Sequence, residues 1–191
     1  MGSPAEDLAK AQSLPEGDVI RILLEQHARV QTLFSQLKMA TGESKQDLFD
    51  ELRALLAVHE TAEEMVLRPV TKKIAGEEVA DARNQEEEQA NEVLAQLEDM
   101  DVSSPDFDTK LALFEQSVLS HAEAEEQQEF PAVLSQCDVE ERQKMGKRLE
   151  RTEKIAPTHP HPTTAGSTAK QYMVGPFASI VDRVKDSLSK D

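Results

Sequence analysis

The chain has 191 residues and a formal net charge of −16, with 21 Lys and Arg against 37 Asp and Glu, a balance that repels phosphate backbones and argues against a nucleic-acid partner. Apolar residues make up 38% and aromatics 4%, enough for one core, while no stretch is apolar over the ~20 residues that a membrane crossing takes. Cys137 is the only cysteine, which excludes an intramolecular disulfide and, with a start MGSPAEDLAK that lacks the apolar run of a signal peptide, leads to the expectation of a cytoplasmic protein.

Residues 1–16 carry Gly2, Pro4 and Pro15 among mixed charges and read as a flexible N-terminal arm. From Asp18 the pattern turns helical: Val19, Ile20, Leu23, Leu24, Val30, Phe34 and Leu37 recur at three- and four-residue steps. TGES at 41–44 is a turn, and Leu48, Leu52, Leu55, Leu56, Val66, Leu67 and Val70 make a second stripe ending near Gly76. Val79, Ala90, Val93, Leu94 and Leu97 form a third; the run DVSSPDFD at 101–108 interrupts it and offers Ser and Asp as N-caps for a fourth, marked by Leu111, Phe114, Val118 and Phe130. Long helices with short connections predict an all-α chain whose residues 17–136 form an up-down four-helix bundle. A weakly amphipathic, highly charged helix is expected over 137–155. It is followed by a Pro-rich linker over 156–175 and a short amphipathic helix over 176–191, with apolar steps at Phe177, Ile180, Val181, Val184 and Leu188. That last helix is too acidic for a membrane anchor.

The apolar stripes are interrupted by polar residues at matched places. His27 lies in line with Ile20, Leu23, Leu24, Val30 and Phe34. His59 and Glu63 lie in line with Leu52, Leu55, Leu56, Val66 and Val70, and His121 and Glu125 with Phe114 and Val118. A residue four positions on shares the same helix face, so each His and its Glu point into the core together. A buried carboxylate without a partner costs several kcal/mol or becomes protonated; a bound cation removes the difficulty by neutralising the carboxylates and accepting the imidazole lone pairs. The motif occurs twice, as His59-x-x-x-Glu63-Glu64 before Pro69 and His121-x-x-x-Glu125-Glu126 before Pro131, each Pro ten residues after its His. Aligning Leu37 with Leu97 and Phe34 with Leu94 sets Glu87 opposite His27, with its neighbour Glu86 as the alternative. The chain then reads as two helical hairpins related by pseudo-twofold symmetry, one supplying His27, His59 and Glu63, the other Glu87, His121 and Glu125. Glu64 and Glu126 are expected to face outward or to hold a ligand by a hydrogen bond. His159 and His161 fall in the linker and read as solvated, and Cys137 reads as a small structural residue.

These residues resemble the hemerythrin-like, or HHE cation-binding, family, whose pattern is His, His-x-x-x-Glu, His, His-x-x-x-Glu on successive helices; the resemblance covers about residues 18–135. The tail, with PTHPHP and GPFASIVDRVKD, is similar to C-terminal extensions of actinobacterial members. The resemblance implies a bundle around two non-haem iron ions, oxo- or hydroxo-bridged and spanned by the two motif glutamates. His27, His59, Glu63, His121 and Glu125 carry over directly; the third-helix His is replaced, by Glu87 on this alignment. The ligand set is therefore more anionic by one charge than the family's usual one. That stabilises the ferric state and favours reaction with or sensing of oxygen, hydrogen peroxide or nitric oxide over reversible oxygen carriage. His at position 87 is expected to be accepted, since His27 occupies the matching point. A metal-stabilised helical interaction module without catalytic activity is the alternative reading. Mononuclear zinc hydrolysis would need a general base, and none is marked.

Overall fold

The breaks between the helices carry their own capping chemistry. In the computed structural model, which describes residues 2–160, α1 (Pro4–Gln12) is followed by α2 (Val19–Leu37), α3 (Gly42–Val66), α4 (Arg68–Ile74) and α5 (Glu77–Glu98). Then come α6 (Pro105–Ala124), a π-helical turn (Glu125–Glu129), α7 (Phe130–Gln136) and α8 (Val139–Glu153). Asp18 caps α2 by accepting from the Ile20 N–H, and Ser104 caps α6 by accepting from Phe107 with Pro105 in the first turn. Asp138 and Glu141 form a reciprocal capping box at the start of α8.

Prolines divide both motif-bearing helices. A proline ring has no N–H to give and collides with the carbonyl four residues back. Before Pro69 the helix breaks at Leu67, which separates α3 from α4. Before Pro131 the helix instead widens, with the Phe130 N–H donating to the Glu125 carbonyl five residues earlier, and the wider turn gives the ring room.

The four-helix bundle is α2, α3–α4, α5 and α6–α7, alternating up and down. Its core falls into two apolar plugs. One gathers Val30, Phe34 and Leu37 of α2, Phe49, Leu52 and Leu56 of α3, Ala90, Leu94 and Leu97 of α5, and Phe107, Leu111, Phe114 and Val118 of α6. The other gathers Val19, Ile20, Leu23 and Leu24 of α2, Ala62, Met65 and Val66 of α3, Phe130 and Val133 of α7, Met145 and Leu149 of α8, and Ala11 of α1. Each buried Leu or Phe contributes roughly 1.5–3 kcal/mol. His27 of α2, His59 of α3 and His121 and Glu125 after Val118 fall between the two plugs; Glu63 follows Ala62 at the edge of the second plug, and Glu87 precedes Ala90 of the first.

Two parts of the chain correct or extend the sequence reading. Residues 4–12 are a helix and not a flexible arm: Ser3 and Glu6 cap each other's backbone, Pro4 sits in the first turn, Ala11 enters the second plug, and buried Asp7 accepts from Gln31 Nε2 at 2.7 Å. The charged segment after Cys137 is a helix, as its sequence suggests. It is held by a buried Arg142–Asp18 ion pair at 2.7 Å and by Gly146, where a Cβ would stand 2.1 Å from the Gly17 carbonyl oxygen. The helix expected over 176–191, and the linker from His161 onward, lie outside the described residues.

Candidate metal centre

The three histidines are fixed from outside the cluster. The Nδ1–H of His59 donates to Gln26 Oε1 at 2.7 Å, that of His121 to Glu86 Oε2 at 2.9 Å, and that of His27 to Glu126 Oε1 at 3.2 Å. An amide or carboxylate oxygen can only accept, so Nδ1 carries the hydrogen in each ring. Each Nε2 is turned inward: His59 Nε2 lies 3.3 Å from Glu63 Oε2, His121 Nε2 3.3 Å from Glu125 Oε1, and His27 Nε2 3.5 Å from Glu125 Oε2. Phe130 stacks on the His27 ring with centroids 5.6 Å apart, and His59 meets that ring edge-on at 5.2 Å.

All six residues anticipated from the sequence come together. They form two overlapping groups, His27, His59, Glu63 and Glu125 in one and Glu63, Glu87, His121 and Glu125 in the other; within each, one donor atom per residue lies within 4.8 Å of all the rest. Glu63 and Glu125 belong to both. Glu63, Glu87 and Glu125 are fully enclosed, with 0, 1 and 0% exposure. Of the two third-helix alternatives, Glu87 puts its carboxylate in the cluster. Glu86 is more exposed, pairs with Arg83 at 2.8 Å and positions His121.

The electrostatics are those of a crowded anionic pocket. Burial pushes Glu63 well above the usual carboxylate range, and the neighbouring Glu125 charge adds to it. Burial also raises Glu87, against the pull of Arg68 and His121. Glu125 resists burial and is held well below its usual value by His121, His27 and Arg68. Burial would lower His27 and His121, but carboxylates outweigh it and leave both raised, His121 strongly. His59 is brought down to about 3 by burial and by His27 beside it.

The donor set fits a pair of cations. His27 Nε2, His121 Nε2, both oxygens of Glu63, and Oε2 of Glu87 and of Glu125 are buried and make no hydrogen bond, which ordinarily costs ~1–3 kcal/mol each. All six atoms are on residues of the cluster and are donors of the kinds that transition metals take. A cavity of about 20 Å³ opens against His27, His59, Glu87 and His121 and is walled by Val30, Leu56, Ala90 and Val118, which is room for one water-sized molecule.

Sequence reasoning missed Arg68. Its guanidinium is 3% exposed and bonds Glu87, Glu129 and, at 3.1 Å, Glu125. It also missed Gln26 as the His59 partner. Glu126 is the hydrogen-bonding residue that the sequence allowed, linking His27 to Lys10, and Glu64 is buried instead of facing outward. His159, read as solvated, is buried and pairs with Glu98. Half-buried Cys137 packs on the second plug as a structural residue.

The hemerythrin HHE cation-binding domain family matches residues 18–133. An uncharacterised hemerythrin-like protein of Schizosaccharomyces pombe is 30% identical over 138 residues, which cover 71% of this chain and 68% of that one. A DNA nickase of a Nostoc species is 27% identical over 142 residues, 74% of this chain but only 40% of that protein. The crystal structure of a hemerythrin HHE cation-binding domain-containing protein from Mycobacterium kansasii superposes with a TM-score of 0.61 at 24% identity, over 70% of this chain and 85% of that one; the likeness is one of fold.

Proposed function

The chain belongs to the hemerythrin HHE cation-binding family, and on that premise we propose that it holds two non-haem iron ions and binds, senses or turns over a small oxidant such as oxygen, hydrogen peroxide or nitric oxide. The observation that carries the proposal is the pair of overlapping four-donor groups that share Glu63 and Glu125. His27, His59 and Glu63 would hold one ion and Glu87, His121 and Glu125 the other, with Glu63 and Glu125 reaching both. Bound iron would supply the electrons for reducing the oxidant.

The chain's own residues prepare the site. Gln26, Glu86 and Glu126 accept the Nδ1 hydrogens and so orient the three rings with Nε2 facing inward before any ion arrives. The two apolar plugs keep bulk water away from both ends of the polar layer. The small cavity beside His27 and His121 has room for one water-sized molecule.

The partner set we propose is a small oxidant and a redox partner, with no membrane and no nucleic acid. The Nostoc relative is named a DNA nickase, but a net charge of −16 opposes a phosphate backbone here. No helix among the described residues is long and apolar enough to cross a membrane. A cytoplasmic setting is part of the proposal and rests on the single, half-buried Cys137.

The test is spectroscopic. Protein loaded anaerobically with ferrous iron is mixed with oxygen or hydrogen peroxide and followed in the near ultraviolet. The proposal expects a new oxo-to-iron absorption that a Glu63→Ala variant lacks. A loaded protein whose spectrum ignores both oxidants would leave a metal-stabilised interaction module as the better reading.

A further inference from the structure

The two hairpins follow their pseudo-symmetry in the contacts that hold His59 and His121 and depart from it in what packs on His27 and Glu87. Gln26 and Glu86 are matched, 60 positions apart, and hold the matched His59 and His121 in the same way. His27 and Glu87 are matched by the same offset of 60. The residue that packs on His27 is Phe130, nine positions after His121; the residue nine positions after His59 is Arg68. Arg68 meets Glu87 across the bundle, as Phe130 meets His27. A neutral ligand under an aromatic ring in one half is thus replaced in the other half by an anionic ligand under a guanidinium.

The replacement is chemically coupled. Guanidinium stays charged at any accessible pH, and burying one without partners is strongly unfavourable. Arg68 Nη2 bonds Oε1 of both Glu87 and Glu125, while Nη1 bonds Glu129. The remaining Oε2 atoms of Glu87 and Glu125 are buried with no hydrogen-bond partner, and Glu125 Oε2 lies 3.5 Å from His27 Nε2. The fork therefore holds one oxygen of each carboxylate and leaves the other available.

Resting on the reading that the six residues hold two cations, we propose that Arg68 is the positioning residue of the second cation site and that Arg68 and Glu87 act as one unit, equivalent to the Phe130–His27 pair of the first. Arg68 makes Glu87 a one-oxygen ligand and offsets the charge that Glu87 adds. Glu87→His alone, which the sequence suggested would be accepted, then leaves the Arg68 charge beside a neutral ring and opposes the second ion. The pair can be exchanged only as a pair.

The experiment compares wild type, Glu87→His, Arg68→Phe and the double variant by iron content, midpoint potential of the loaded protein and melting temperature. Glu87→His is expected to fall from two irons per chain to about one, and adding Arg68→Phe to restore two. Arg68→Phe alone, by removing positive charge beside the centre, lowers the midpoint potential, and the double variant returns it toward wild type. A double variant that holds no more iron than Glu87→His, or a Glu87→His protein that keeps both irons, overturns the proposal, as does an Arg68→Phe potential equal to wild type. Should Arg68→Phe alone fail to fold, the double variant decides: a folded double supports the coupling and an unfolded one overturns it. Failure of the site reading is distinct, since wild type itself would take up fewer than two ions. The coupling is then read from melting temperatures, with the double expected above both single variants and a simple sum of their losses against it.

Discussion

Glu126 accepts the Nδ1 hydrogen of His27 on one carboxylate oxygen, at 3.2 Å, and takes Lys10 Nζ on the other, at 3.0 Å. A residue outside the cation cluster thereby orients a ligand and ties it to α1. Removing such a hydrogen bond from a metal-binding histidine typically costs 10–100-fold in affinity. Glu126→Ala should weaken the first iron by about that factor while the helical circular dichroism stays unchanged. Competition against a chelator of known affinity measures it; an unaltered affinity would show that His27 is held by packing on Phe130 alone.

Metal removal should destabilise the fold. Six nitrogens and oxygens of the cluster residues are buried without a hydrogen bond, and a ligand that binds only the folded state adds RT ln(1 + [L]/Kd), ~4 kcal/mol at a thousandfold excess over Kd. Chelation is expected to lower the melting temperature by several degrees or more. Coincident melting curves for loaded and stripped protein would contradict the placement of Glu63, Glu87 and Glu125 as ligands.

Iron uptake should release protons. The carboxylates around His27 and His121 more than offset burial and keep both imidazoles protonated above their ordinary value, and burial does the same for Glu63 and Glu87. Metal takes the deprotonated forms. A raised value in the stripped protein means that protons compete from higher pH, so apparent affinity falls on acidification and begins to fall above the ordinary imidazole range near pH ~6.5. His59, brought down to about 3, contributes nothing to this competition near neutrality. Titration in weakly buffered solution should show net proton release, and pH-independent uptake between about pH 6 and 8 would count against the assignment.

The seat of α8 should be sensitive to a single methyl group. A Cβ at Gly146 would stand 2.1 Å from the Gly17 backbone oxygen, and backbone cannot yield as a flexible side chain can. Overpacking of this kind costs about 1–3 kcal/mol. Gly146→Ala should lower the denaturation midpoint accordingly and leave iron content per folded chain unchanged, since α8 supplies no member of the cluster. Loss of iron in the folded variant would mean that α8 constrains the site through α2 and α3.

The parts of this site that the sequence displays are those with a helical period. His59 with Glu63 and His121 with Glu125 recur at four residues inside apolar stripes, and a buried carboxylate at a repeated place is hard to explain without a cation. Glu87 came from aligning the hairpins, because the run Glu86-Glu87-Glu88 taken alone looks like a solvated face. Arg68 was hidden for a different reason: in LRPVTKK it reads as one of the basic residues of an exposed turn, and its buried partners Glu87, Glu125 and Glu129 are distant in sequence. Gln26 and Glu86 precede site residues at positions that read as surface. The π-helical turn lies in EEQQE, which has no apolar period to betray its width. Helix α1 did have a local signal, since Ser3 and Glu6 have capping-box spacing, but Pro4 and Gly2 outweighed it in a reading by composition.

The central claim is that six side chains on four helices hold two cations through Glu63 and Glu125. Anaerobic titration of the stripped 191-residue chain with ferrous iron, read by native mass spectrometry, tests it most directly. The account predicts saturation at two irons per chain, falling to one for Glu87→Ala, with His27, His59 and Glu63 still occupied, and unchanged for Glu86→Ala. Saturation of the wild type at one iron or none, or loss of iron from Glu86→Ala but not from Glu87→Ala, would contradict it.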